Sequence, residues 1–459
     1  MAELSGSLCW INKATRRHSS GGHTQLEKPV NRLAKTTCLL ALATLLVPGF
    51  LAPPPSAAEQ KIPEPGLVID TTNIHDYSDL LSPAMLWTVD RGVKINVGEY
   101  SLVTMPPPFM EATEKYSSQV ELSEDRKEIL NHVAGLPFPQ IDTNDPTVAT
   151  KLMFNFNATI RVDDLDLRNF DCDTGAVGKD GHPLTVERHF LIDHIRRMSW
   201  YERTEVEPIP VIPDNPDKVR YKEAMYPLLE PFDLKGVGFL LFRYKEPSRQ
   251  DDTWLYLPQL RRVRRLSSAQ RSDALFGQDT DMDSYAGYAG KVGWMDWKFL
   301  GEKKILGSFH SEHLPVKWGE GSGNFVHADL WEPRDVWVVE GVSLLPQYAY
   351  GKRVIFLDKE SYRIPYTDIY DTAGELWKMW INQFKYAKCP IPDAPYCQEY
   401  EASYNPSITM VDVQLEHATF CALPSHRFPG EQGWYFNLGD EEGTTADYFS
   451  LANVISAGR

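Results

Sequence analysis

The chain has 459 residues, 42% of them hydrophobic and 24% charged, which excludes a disordered chain, a collagen-like repeat and a small disulfide scaffold. Asp and Glu (63) outnumber Lys and Arg (47), for a formal charge of −16, the reverse of the cationic surplus that neutralises nucleic-acid phosphates. A mean hydropathy of −0.37 excludes a polytopic membrane protein, and 12 Trp, 21 Tyr and 20 Phe supply large flat side chains for a core or an apolar cavity.

Thr36 to Leu51 is an apolar run preceded by Arg32 and Lys35 and followed by Ser56-Ala57-Ala58. This order predicts a secretory signal peptide cut after Ala58 and a periplasmic mature chain. Residues 1–29 are long and polar for a leader, which favours a start at Val30. Residues 1–58 hold six basic and two acidic side chains, so the mature chain carries −20. Cys172, Cys389, Cys397 and Cys421 remain, an even number that suits disulfides in an exported chain and allows three pairings. A local Cys389–Cys397 bridge around PIPDAPY is the simplest expectation. CxxC spacing is missing, so neither a metal nor a cofactor is expected.

Residues 59–134 read as a mixed segment and possible lid. Pro106-Pro107-Pro108 reads as a rigid connector, and Glu121 to Val133 has a helical pattern stopped by Gly135 and Pro137. Residues 135–382 read as the β core. Its predicted strands are Leu152–Val162, His189–Thr204 (a strand pair), Gly236–Tyr244, Thr253–Leu257, Trp294–Phe299, Asp335–Val342, Arg353–Asp358, Tyr362–Asp371 and Gly374–Asn382. Spacings of ten to twenty residues fit an antiparallel sheet or open barrel rather than βαβ units. Residues 383–459 read as Cys/Pro-rich loops, one strand at Ser407–Thr419 and a tail. Within Gly236–Tyr244, Val237, Phe239 and Leu241 share one face while Leu240, Phe242 and Tyr244 share the other, so both faces must be covered.

Nucleophile elbow, phosphate loop and HExxH are all missing. Asp279, Asp281 and Asp283 imitate part of a calcium loop, but Ser284 and Gly290 replace the required Gly and Glu, leaving a solvated acidic loop or acids paired with arginines. His310/His313 and His189/His194 lack a placeable third ligand. Arg261-Arg262-Val263-Arg264-Arg265 concentrates four guanidiniums, which require facing anions. They pair with the Asp279–Asp283 loop, or Arg262 and Arg264 form an anion clamp at a cavity rim. Trp254, Tyr256, Trp337 and Trp377 are candidates for lining that cavity.

TWLYLPQLRRVRRL, SDALFGQDTDMDSY, DWKFLGEKKIL, RDVWVVEGV and KRVIFLDKESYRIPYTDIYDTAGELWKMW, with AGLPFP upstream, resemble the DUF1329 family of exported Gram-negative proteins. The resemblance runs from about Gly135 to Trp380. It implies a fold like that of the LolA/LolB lipoprotein carriers: mainly β with α, a strongly curved antiparallel sheet or incomplete β-barrel with covering helices. Insertions near 205–230 and 383–405 decorate that sheet. The function it implies is a non-enzymatic periplasmic carrier or adaptor for a lipid or other hydrophobic molecule, working beside an RND/MmpL-type transporter and an outer-membrane β-barrel. A secreted hydrolase with its site near His310/His313 and Asp279–Asp283, and a ligand-free outer-membrane scaffold, are the competing readings.

Overall fold

The computed structural model describes residues 60–159, 162–267 and 270–459, so the leader, its cleavage site and the Val30 start lie outside the described residues. In chain order the regular elements begin β1 (Val68–Ile69), α1 (Pro83–Asp90), β2 (Ile95–Val97), α2 (Pro107–Tyr116), β3 (Glu121–Leu122), β4 (Ile129–Leu130) and α3 (Val148–Thr159). The strands β5 (Asp164–Ala176), β6 (Thr185–Ser199), β7 (Val219–Met225), β8 (Leu228–Glu230), β9 (Gly238–Tyr244), β10 (Asp252–Leu257) and β11 (Arg262–Arg265) follow. The second half holds β12 (Met295–Gly307), β13 (Leu330–Ser343), β14 (Lys352–Asp358), β15 (Tyr366–Tyr370) and β16 (Leu376–Asn382). After these come β17 (Lys385–Ala387), β18 (Ala402–Tyr404), β19 (Ser407–Asp412), β20 (His417–Ala422), β21 (Trp434–Phe436) and α4 (Leu451–Ala457).

Two antiparallel meanders make one large curved sheet. The first runs β5-β6-β7-β9-β10-β11, with β8 beside β6. The second runs β12-β13-β14-β15-β16-β19-β20. They join where β20 pairs with β5, and the register there sets Cys421 opposite Cys172, which are disulfide-bonded. No ladder joins β11 to β12 among the described residues, so the sheet stays open. The fold is therefore mainly β with an unclosed, curved antiparallel sheet.

Side-chain alternation gives the sheet two faces. The outer face is covered at one end by α1, against Val336, Tyr366, Met379 and Ile381. At the other end α4 packs through Val454 against Leu240, Tyr244 and Tyr256. The inner face carries Phe170, Cys172, Trp380, Met410 and Cys421, and at its far end α3 covers Val339, Ile355 and Leu357. β9 is thus covered on both faces, as its two apolar faces require.

The local readings need several corrections. Leu152–Val162 was expected as a strand, but Val148–Thr159 is helical. Val148, Leu152 and Phe156, with Ala149 and Met153, recur at four-residue spacing and are all buried, and Asp145 accepts from Thr147 N at the helix start. Glu121–Val133 forms a short hairpin instead of a helix, because the Ser123 and Asp125 side chains close a turn in which Arg126 is left-handed. The Pro106–Pro108 connector opens α2, where fixed proline φ suits a first turn. His189–Ser199 belongs to one long strand, β6, instead of a strand pair, and residues 200–204 lie beyond its end. The expected insertion near 205–230 contains β7 and β8, which belong to the sheet. Ser407–Thr419 holds two strands joined at Val413–Glu416, and residues 383–459 supply five strands rather than one.

Candidate functional site

A hollow lies on the inner face of the first meander. β5 places Leu165 and Leu167 in its wall, and the register carries the same face through Ile195, Met225, Phe239 and Leu255. Two chambers of about 280 and 210 Å³ share Arg197, Glu223, Met225 and Tyr285 in their walls. A smaller chamber of about 60 Å³ joins the second through Val162, Arg363, Ser403 and Phe436. The walls are chiefly apolar, the usual character of a small-molecule site.

Residues 270–290 form a strap across this face. Leu275, Phe276, Met282 and Tyr285 face the larger chamber, and Tyr285 packs on Trp380 with ring centroids 5.2 Å apart. Buried ion pairs pin the strap to the sheet. Arg271 meets Asp283 at 2.6 Å and Asp251 at 3.0 Å, while Asp251 also takes Arg243 at 2.7 Å. Burial opposes ionisation of Asp251, but the two guanidiniums outweigh it and hold its carboxyl below the usual range. Tyr350 donates to Asp281 at 2.6 Å, and Asp279 accepts from Thr419 at 2.9 Å and lies 2.8 Å from His417 Nδ1.

This geometry corrects two sequence expectations. The Asp279–Asp283 loop is buried rather than solvated; its acids do pair with arginines, the other reading, but not with those of Arg261–Arg265. Its partners are Arg271, Arg353, His417 and Lys378. Of the arginine run, Arg265 pairs with Asp252, while Arg262 and Arg264 are exposed on the edge strand β11. Their register partners are Leu257 and Leu255, so both arginines share the face that carries the hollow.

The four aromatic candidates are dispersed. Trp254 and Tyr256 alternate with Leu255 and lie on the outer face beneath α4. Trp337 is in the α3 core, stacked on Tyr362 at 5.3 Å. Trp377 donates to Asp412 at 2.9 Å and packs edge-on against Tyr350. None of the four is in the chamber walls. Cys389 and Cys397 are disulfide-bonded to each other.

His310 Nδ1 meets Glu332 at 3.0 Å, and His313 lies near Asp329 instead, 3.4 Å away. Possible ligand atoms of Glu312, His313 and Asp329 come within 4.8 Å of one another. The Asp329 carboxylate is already occupied, accepting from Ser311 Oγ and the Glu312, His313 and Leu330 amides. Ser311 thus donates to a carboxylate, and the histidines near it face carboxylates, so the nucleophile–base pair of a hydrolase is not assembled there.

The sequence reading missed Leu165, Leu167, Ile195, Arg197, Met225, Trp380 and Arg363. One signal was available: Asp164-Leu165-Asp166-Leu167 alternates with the period of a half-buried strand.

A relative from Pseudomonas aeruginosa, described as an uncharacterized protein, is 25% identical over 354 residues, 72% of this chain and 70% of its own length. A crystallised domain from Vibrio parahaemolyticus, described as a candidate outer membrane lipoprotein-sorting protein, aligns at 18% identity and TM-score 0.44, over 66% of this chain and 97% of its own. A LolA superfamily protein from Nitrosomonas europaea aligns at 15% identity and TM-score 0.32, over 62% and 91%. The model of the family described as protein of unknown function (DUF1329) matches residues 68–454, and the chain belongs to that family.

Proposed function

We propose that the protein is an exported, non-enzymatic carrier that holds a lipid or similar hydrophobic molecule in the hollow between the first meander and the 270–290 strap. The observation that carries this reading is the pair of connected, apolar-walled chambers sharing Met225. Burying a methylene contributes about 0.8 kcal/mol, so a chain of ten methylenes binds usefully after ordering costs. An open sheet with a separately pinned strap gives such a chain an entry that a closed barrel lacks. Among the described residues no helix is long and apolar enough to cross a membrane. The natural setting for this reading is the periplasm, beside an RND-type exporter that supplies or receives the cargo.

Native mass spectrometry of the protein purified from its own host tests the reading. Co-purifying lipid supports it, and its loss in Met225→Trp, which fills the junction of the chambers, places the lipid there. Protein that emerges empty and takes up no amphiphile in vitro refutes it.

A further inference from the structure

The turn between β14 and β15 puts a guanidinium where a hydrophobic cargo alone would not need one. Arg363 follows Tyr362, which is left-handed at φ 54°. The turn is fixed by Asp358, whose carboxylate accepts from the Ser361 amide at 2.8 Å and the Ser361 hydroxyl at 2.6 Å. From this rigid base the partly buried Arg363 side chain lines both the 210 Å³ chamber, the middle one of the three, and the 60 Å³ chamber, the outer one.

Among the described residues it pairs with no carboxylate. The groups acting on Arg363 are the Tyr386 hydroxyl and, repulsively, Arg197, with no carboxylate among them. The acidic side chain that lines the middle chamber, Glu223, is taken up by Arg197 at 2.6 and 2.8 Å. In the outer chamber Glu401 is exposed and Glu205 is occupied by Asn437 Nδ2 at 2.8 Å. The Ser403 hydroxyl, beside Tyr386 and in the wall shared by both chambers, is buried without a hydrogen bond of ordinary geometry. Removing a guanidinium from water without a counter-ion is costly, and its planar fork matches an oxyanion.

Resting on the reading of the hollow as a ligand site, we propose that the cargo is an anionic amphiphile. Its chain fills the two larger chambers, and its carboxylate or phosphate head sits on Arg363, with Ser403 donating beside it.

The test measures binding of laurate, dodecyl phosphate and dodecanol to the lipid-stripped mature chain by calorimetry. The expected result is at least tenfold tighter binding of one or both anions than of dodecanol. Whichever anion binds tighter identifies the head as carboxylate or phosphate. Arg363→Gln abolishes the preference while leaving dodecanol affinity unchanged, and Arg363→Lys keeps part of it. If circular dichroism shows that Arg363→Gln does not fold, the wild-type ratio and Arg363→Lys decide. Equal binding of all three ligands, or an unchanged preference in Arg363→Gln, overturns the anionic head and leaves the hollow standing. Failure of all three to bind overturns the hollow as a ligand site as well.

Discussion

Arg197 and Glu223 face each other directly across β6 and β7, with Arg197 Nε and Nη2 both donating to one Glu223 oxygen at 2.8 and 2.6 Å. The pair sits where the two larger chambers meet, among Met225, Ile195 and Leu241. Removing one partner strands the other charge in an apolar wall. Glu223→Gln is expected to cost about 1–3 kcal/mol in urea unfolding, whereas Arg197→Met with Glu223→Leu recovers most of that loss. Equal losses in the single and double variants would show that the pair itself stabilises the wall.

The two disulfides differ in what they constrain. Cys172–Cys421 spans 249 residues and ties the meanders at the ladder that joins them, while Cys389–Cys397 spans 8. Chain entropy gives about 5.5 kcal/mol for the long closure and about 2.5 for the short one. Replacing Cys172 and Cys421 by alanine is therefore expected to lower the midpoint of denaturant unfolding by about twice as much as replacing Cys389 and Cys397.

His327 is buried on Trp331, centroids 4.8 Å apart, with neither ring nitrogen hydrogen-bonded. Burial pushes its pKa down from 6.5 to about 4. The unfolded chain then binds the proton more readily, so stability falls as pH drops from 6.5 to about 4. His327→Phe is expected to remove up to about 3 kcal/mol of that acid-side loss, read as flatter unfolding midpoints between pH 4 and 6.5.

Asp368 has the opposite sign. It is buried beneath α1, accepting from Ser82 Oγ at 2.7 Å, and burial raises its pKa from 3.8 to about 7. Its contribution is fully present below pH 3.8 and is lost as pH rises through 7. Asp368→Asn is expected to stabilise the protein above pH 7, by at most about 4 kcal/mol, and to give no gain near pH 4. A gain at both ends would assign the effect to packing instead of charge.

The strands of the second meander were legible because each is a short run of β-branched and aromatic residues between turn formers. β13 and β14 are examples. α3 was not legible as a helix, because Phe154, Asn155 and Phe156 have the composition of a strand. The four-residue recurrence of Val148, Leu152 and Phe156 favours the helix, and its packing against Val339 and Ile355 settles the matter. The arginine run was legible as an anomaly. Its partners were not, because the acids nearest in sequence fold inward onto Arg271 and Arg353, while Arg262 and Arg264 remain at an edge.

The sequence by itself determined the open antiparallel architecture, the double-sided covering of β9 and the family, since these depend on local period, composition and motif order. Tertiary structure decided where the hollow lies. A side chain's face follows from strand register, and register is set by ladders such as β5·β20 that join residues about 250 positions apart. Thus Leu255 turns inward while Trp254 and Tyr256 turn outward, and an unremarked arginine, Arg363, stands in the wall.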